Sequence, residues 1–383
     1  MVIAKIGGPV SDSKAPGIVP CISNSGYMKE TSDHSRRAFL GKLSAGALTL
    51  TTLAGAGQNV FASALRAQTI KRSMDSDVKK FVPVMVTPYT SDLKIDFDAL
   101  SKLIDFYTAS GAKGFFANCL SSEMYNLDEG ERLALARHVV KRVNGAFPVV
   151  ATGSFGTTIE ERAEFARKMY DTGVNAVILI SSHFANKEDS DAVLIKNLEK
   201  FFSLTGNIPM GTYECPSPYK RIITPQVLRF LLSTNRLIYH KDTTLDLEKI
   251  KVKIDLAKNS KLEFYDAHTP NSMYSLQMGA KGLSTIAGNF YPEIFSWMCD
   301  NANNPARKED VQWIQAEMTR ADAVIGQGYP NSAKYFLQKR GVPIQPLTRT
   351  AKAPLTAAQK QAVDEIYNVL PQWHERLHIK MGY

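Results

Sequence analysis

Between residues 81 and 301 the chain alternates two patterns of apolar residues. Short, nearly continuous apolar runs lie at 81–86, 114–117, 148–152, 176–180, 209–213, 237–240, 263–265 and 281–284. Their length and their Val, Ile and aromatic content read as strands. Between them, apolar residues recur every three or four positions, as in Phe97, Leu100, Leu103, Ile104 and Tyr107. That spacing predicts helices over 96–110, 128–143, 158–172, 190–204, 224–233, 245–259, 270–278 and 292–301. The second of these has an acidic start and a basic end, as the helix dipole favours. Eight strand–helix units in about 220 residues imply a parallel sheet with right-handed crossovers. Eight close naturally into a (β/α)8 barrel of the α/β class. A doubly wound open sheet is the alternative, but no Gly-rich dinucleotide fingerprint follows any of the runs. Beyond 303 only helical patterns remain, at 305–325, 332–339 and 356–377, with a Pro-containing connector at 342–354. The expected division is an extension and signal segment at 1–64, a linker at 65–78, the barrel at 79–303 and a helical extension at 304–383. That extension either covers the barrel or builds a subunit interface.

The N-terminal segment reads as an address. Ser35-Arg36-Arg37-Ala38-Phe39-Leu40 resembles a twin-arginine export motif, and a weakly apolar Gly/Ala-rich run follows from Leu43 to about Ala56. Ala62-Ser63-Ala64 then offers a cleavage site of small residues. The run is too short, and too broken by Gly and Thr, to span a bilayer. The expectation is export to the periplasm by the twin-arginine machinery, with either Met1 or Met28 as the start.

At 383 residues and 44% apolar, the chain has material for a large core. Its formal charge of +9 is scattered, with no basic run and no interleaved aromatics, so nucleic-acid binding is not expected. Cys21, Cys119, Cys215 and Cys299 form no CxxC pair and no metal-ligand spacing. Cys119 and Cys215 fall near strand ends and read as small buried hydrophobes beside a pocket. His374 and His378 stand four apart on a predicted helix, a spacing that could pair on a metal, although exposed histidines on a solvated face are the ordinary reading.

In barrels of this kind the chemistry sits at the C-terminal ends of the strands. Lys241, at the end of the sixth apolar run, is out of place unless something uses it. Tyr213 ends the fifth run. A desolvated lysine loses its proton more readily and attacks a carbonyl to form a Schiff base, and a phenol can move the protons involved. The same rule places Thr87, Asn118 to Glu123 with Leu120 and Ser121 among them, Thr152 to Ser154, His183, Glu214, Asp266, His268 and Ser284 to Asn289 near the mouth.

These landmarks together resemble the dihydrodipicolinate synthase / N-acetylneuraminate lyase family of class I aldolases and dehydratases. They are Val86-Thr87-Pro88-Tyr89, Leu127-Asp128-Glu129-Gly130-Glu131-Arg132, Tyr213-Glu214-Cys215-Pro216, His240-Lys241-Asp242-Thr243 and Gly279-Ala280-Lys281-Gly282. The resemblance implies a homo-oligomer, tetramer or dimer, with no cofactor beyond the covalent Schiff base on Lys241. The implied substrates are a 2-oxo acid and an aldehyde, or a sugar acid, with Tyr213 as proton relay. It implies that Cys119-Leu120-Ser121-Ser122-Glu123 holds the substrate carboxylate, with Ser121 as hydroxyl donor. Thr87, Leu120, His183, Glu214 and Ser284 are the other expected substrate contacts. The sequence departs from the family pattern at Leu120, where a hydroxyl is usual, and at His183-Phe184, where paired tyrosines are usual. Pro218 stands where the synthase branch carries an arginine. These departures point away from dihydrodipicolinate synthesis. Two other readings stand beside the lyase: a metal-dependent barrel hydrolase using His183, His240, His268, Asp266 and Glu123, and an exported 2-oxo-acid-binding protein without turnover.

Overall fold

The computed structural model describes residues 78–350 and 353–380. The export motif and the residues around it lie outside that range. Each apolar run contributes one strand: β1 (Lys80–Phe81), β2 (Phe115–Asn118), β3 (Val149–Thr152), β4 (Ala176–Ile180), β5 (Met210–Tyr213), β6 (Leu237–Asp242), β7 (Glu263–Asp266) and β8 (Gly282–Leu283). Neighbours pair in parallel in the order β1-β8-β7-β6-β5-β4-β3-β2. Val84 bridges Phe116 in parallel and closes the ring between the first and second strands. The (β/α)8 barrel expected from the sequence is the observed fold.

The first strand is shorter than the 81–86 run because Pro83 has no N–H to give to a ladder. The backbone still lies against β2 there, with Phe116 N–H donating to Pro83 O at 3.0 Å and Met85 N–H to Phe116 O at 3.1 Å. The eighth strand is short where the closing seam is tightest. A Cβ on Gly282 would lie 1.9 Å from Lys80 O, so only glycine fits.

The helices around the barrel are α1 (Phe97–Ala109), α2 (Glu129–Val143), α3 (Ile159–Asp171), α4 (Asp191–Leu204), α5 (Pro225–Ser233), α6 (Leu247–Ala257), α7 (Ser272–Met278) and α8 (Pro292–Asn301). Their starts are written in the sequence. Asp128 with Glu131 and Thr158 with Glu161 form reciprocal capping boxes, and Thr224 caps a helix that opens with Pro225. Two apolar layers result. The larger lies between sheet and helices, and the smaller fills the barrel with Val84, Phe116, Val150, Ile178, Tyr213, Tyr239 and Tyr265.

The extension forms α9 (Lys308–Ile325), α10 (Asn331–Lys339) and α11 (Ala357–Leu377). Gln315 fastens α9 to the barrel by accepting from Met273 N–H at 2.8 Å and donating to Thr269 O at 3.1 Å. No helix among the described residues is long and apolar enough to cross a membrane.

Candidate active site

Strands β5 and β6 lie side by side with Tyr213 directly opposite Lys241. Side chains alternate along a strand. Tyr213, Tyr239 and Lys241 therefore face the barrel interior, while Thr212, Glu214, His240 and Asp242 face outward. Lys241 is 3% exposed and its Nζ sits 4.4 Å from the centroid of the Tyr213 ring. Burial holds the Lys241 ammonium below the usual lysine range, and the Cys119 and Cys215 thiols beside it pull weakly the other way. The Tyr213 phenol, also buried, is pushed well above its ordinary value and stays protonated. The arrangement is an amine biased toward its neutral, nucleophilic form, beside a proton carrier.

The pocket walls are aromatic below and polar above. Phe116 packs edge-on against Tyr213 at 5.7 Å and Tyr239 at 5.9 Å, and Tyr239 stacks on Tyr265 at 4.6 Å. Tyr239 donates to Ser284 Oγ at 3.2 Å, and Ser284 donates to Val82 O at 2.9 Å. Ser284 is thereby tied into the floor beneath Lys241. Thr152 shares the inward parity of Val150, whereas a register shift separates Asn118 from Phe116; Asn118 Oδ1 and Thr152 Oγ1 are both buried without a hydrogen-bond partner. Cys119 and Cys215 are buried free thiols in the same interior cluster. Burial raises the Cys215 thiol, which touches the Tyr213 hydroxyl.

The loop after β2 makes a 3-10 turn over Leu120–Ser122. Ser122 Oγ fastens it, accepting from Cys119 N–H at 3.1 Å and lying 2.7 Å from Met85 O. Thr87 donates to Ser122 O at 2.8 Å, so it supports the turn from behind. Ser121 is buried with its hydroxyl against the Tyr329 phenol. Leu120 packs against the interior apolar cluster. Glu123, in the left-handed region at φ 59°, turns its carboxylate into the C-terminal extension. It accepts there from Lys334 Nζ at 2.7 Å and from Arg349 N–H at 2.6 Å.

His183 is half-buried at the rim. Its Nδ1 lies 2.7 Å from Ser154 O and its Nε2 3.0 Å from the Tyr125 hydroxyl. The carbonyl makes Nδ1 the protonated nitrogen, leaving Nε2 to accept. Burial lowers its pKa to about 4, so the ring is neutral near pH 7. Phe184 turns away and packs edge-on to Phe201 behind the barrel.

Glu214 is not in the pocket. Its carboxylate accepts from Ile223 N–H at 2.8 Å and Thr243 N–H at 2.9 Å, and pairs with Lys253. Lys253 Nζ also meets Asp242 Oδ2 at 2.6 Å, and His240 Nε2 lies 3.4 Å from the same oxygen. Strand parity explains the difference from the sequence reading, since Glu214 follows an inward tyrosine and must face outward. Glu214, His240 and Asp242 are the one group of three candidate metal ligands among the described residues. The Lys253 ammonium already serves that cluster as its cation. The other residues of the hydrolase reading do not converge. Asp266 faces the outer layer, where burial raises it to about 7 and His268 N–H donates to it at 2.9 Å. His374, expected on a solvated face, is instead buried against Glu293 at 2.6 Å, and His378 closes α11 with φ 56°.

The sequence reading reached Asn118 and Thr152 by their place at strand ends, and missed Tyr125, Tyr329 and Lys253. Lys253 lies on the apolar face set by Ile250, Ile254 and Ala257, where a charge signals a buried partner. Nothing local marks Tyr329, which arrives from a distant segment.

Comparison with known proteins adds to this geometry. The model of the Dihydrodipicolinate synthetase family matches residues 77–371. A 4-hydroxy-tetrahydrodipicolinate synthase of Ectopseudomonas mendocina is 24% identical over 261 residues, spanning 68% of this chain and 84% of that protein. The solved dihydrodipicolinate synthase of Bacteroides thetaiotaomicron has a TM-score of 0.68 at 20% identity, covering 77% of this chain and 99% of its own. CdNal of Clostridium difficile, solved in complex with mannosamine, has a TM-score of 0.68 at 16% identity, covering 76% and 99%.

Proposed function

The chain belongs to the dihydrodipicolinate synthetase family, whose members are lyases, and from that premise we propose that it is a 2-oxo-acid aldolase or dehydratase working through a Schiff base on Lys241. The observation that carries the reading is the dry amine of Lys241 lying 4.4 Å from the Tyr213 ring at the ends of adjacent strands. The neutral amine attacks the keto carbon, and the carbonyl oxygen leaves as water. The protonated imine then accepts the electron pair of a C–C bond, or of a C–H bond whose loss precedes departure of a hydroxyl. Tyr213 gives and takes the protons at the carbonyl and leaving oxygens. In the turn after β2, the N–H groups of Ser122 and Glu123 are used within the turn. Those of Leu120 and Ser121 have no backbone partner among the described residues and, with the Ser121 hydroxyl, are the donors proposed for the substrate carboxylate.

The substrate we propose is a sugar acid or a related 2-oxo acid, and the site of action the periplasm, reached by the predicted export signal. Arg221, the nearest arginine after the Pro218 turn, is held by Asp191 at 3.1 Å and Asn186 O at 3.0 Å. It is thereby engaged away from the pocket, which supports a substrate other than that of the synthase branch. A homo-oligomer is part of the proposal. The test is release of pyruvate from a panel of 2-keto-3-deoxy sugar acids, followed by coupled reduction to lactate. Turnover by the purified chain, reduced by more than about a thousandfold in Lys241→Ala and unchanged by a chelator, is the expected result. Near-normal turnover in Lys241→Ala would refute the assignment.

A further inference from the structure

The segment between α9 and α10 places Tyr329 against the barrel mouth, and its hydroxyl meets two groups. Asn289 Nδ2 donates to the Tyr329 oxygen at 2.9 Å. The Ser121 hydroxyl touches the same phenol. The direction of this contact is set from behind. Tyr107 donates to Asn289 Oδ1, and Asn289 Nδ2 also donates to Val84 O at 3.0 Å. Turning the amide over would set oxygen against oxygen at Val84 and at Ile286, 3.2 Å away, so the amide nitrogen, which can only donate, faces Tyr329. The phenol oxygen is therefore an acceptor on that side, and the Ser121 hydroxyl is its second polar neighbour. Burial raises the Tyr329 phenol, so it remains a donor across the working range of pH.

We infer that Tyr329 is a specificity-determining residue of the helical extension, which recognises the carboxylate of the 2-oxo acid together with Ser121. The inference rests on the reading that such an acid docks beside Lys241. Asn289, Tyr329 and Ser121 form one hydrogen-bonded series at the barrel mouth, and members of such a series polarise one another. A carboxylate taken out of water needs charge-assisted donors. Leu120 offers only its backbone, and the phenol supplies a hydroxyl at that end of the turn.

The test compares two ketones, pyruvate and hydroxyacetone, the second lacking a carboxylate. Second-order rates of borohydride trapping at Lys241 are measured by intact mass and peptide mapping for the full chain and for Tyr329→Phe. The expected result is a loss of about tenfold or more for pyruvate, the size of one hydrogen bond to a charged group, and less than about twofold for hydroxyacetone. Equal losses for both ketones would mean that the phenol only supports the fold, and an unchanged pyruvate rate would mean that it contributes nothing. Either outcome overturns the inference. A wild-type chain that traps no pyruvate at Lys241 overturns the underlying Schiff-base reading instead, so the two failures are told apart by the wild-type arm.

Discussion

At the residue scale the account turns on which way side chains face. Lys241 and Tyr213 were legible because a lysine and a tyrosine close two apolar runs, and both point inward. Glu214 was misplaced because position along a strand predicts depth but not side, and one step along the backbone reverses the side. The depressed pKa of Lys241 has a direct consequence. The attacking form is the neutral amine, so a lower pKa enlarges the reactive fraction near neutrality. The pH profile of adduct formation is expected to reach its plateau below the ordinary lysine value of about 10.4, and a midpoint at or above that value would contradict the buried environment. Tyr213→Phe is expected to slow adduct formation by about a hundredfold or more while leaving the final yield intact, because the proton carrier is lost but the amine remains. Stopped-time trapping separates the rate from the yield.

At the element scale, helix boundaries were the most readable feature. The capping boxes of α2 and α3 and the Thr-Pro start of α5 fix them within a residue or two of the sequence expectation. The strand at 81–86 was over-read because Pro83 looks apolar yet cannot donate to the ladder. The tips of β5 and β6 carry a further device. Glu214 follows Tyr213, Asp242 follows Lys241, and both carboxylates meet the ammonium of Lys253 on α6. One buried cation thus ties together the strand ends that carry the two proposed catalytic residues. Lys253→Met would leave two carboxylates in a dry layer without their charge partner. The expected cost is about 3–5 kcal/mol, read as a lower midpoint in urea unfolding. A loss below about 1 kcal/mol would show that the cluster is not the strand clamp described.

At the scale of the whole molecule, the sequence announced a barrel followed by helices but not how the helices meet the barrel. That contact joins residues more than two hundred positions apart and has no local signature. It centres on Glu123, which accepts from Lys334 Nζ at 2.7 Å, Thr348 Oγ1 at 2.5 Å, Arg349 N–H at 2.6 Å and Thr350 N–H at 2.9 Å. Arg349 then pairs with Glu131 at 2.7 Å and lies over the Tyr89 ring at 4.9 Å. The extension is thus fastened to the loops that shape the mouth, and through Tyr329 it reaches the pocket. Glu123→Gln is expected to loosen residues 347–350, seen as amide hydrogen exchange at Arg349 and Thr350 faster by about tenfold or more. Unchanged exchange there would mean that the clamp holds without its charge. The central claim joins all three scales, and one measurement tests it most directly. The full chain is incubated with pyruvate and borohydride, weighed intact and digested. The account predicts one reduced pyruvate per chain, located on Lys241 and absent from Lys241→Ala; an unmodified chain, or an adduct spread over surface lysines, would contradict it.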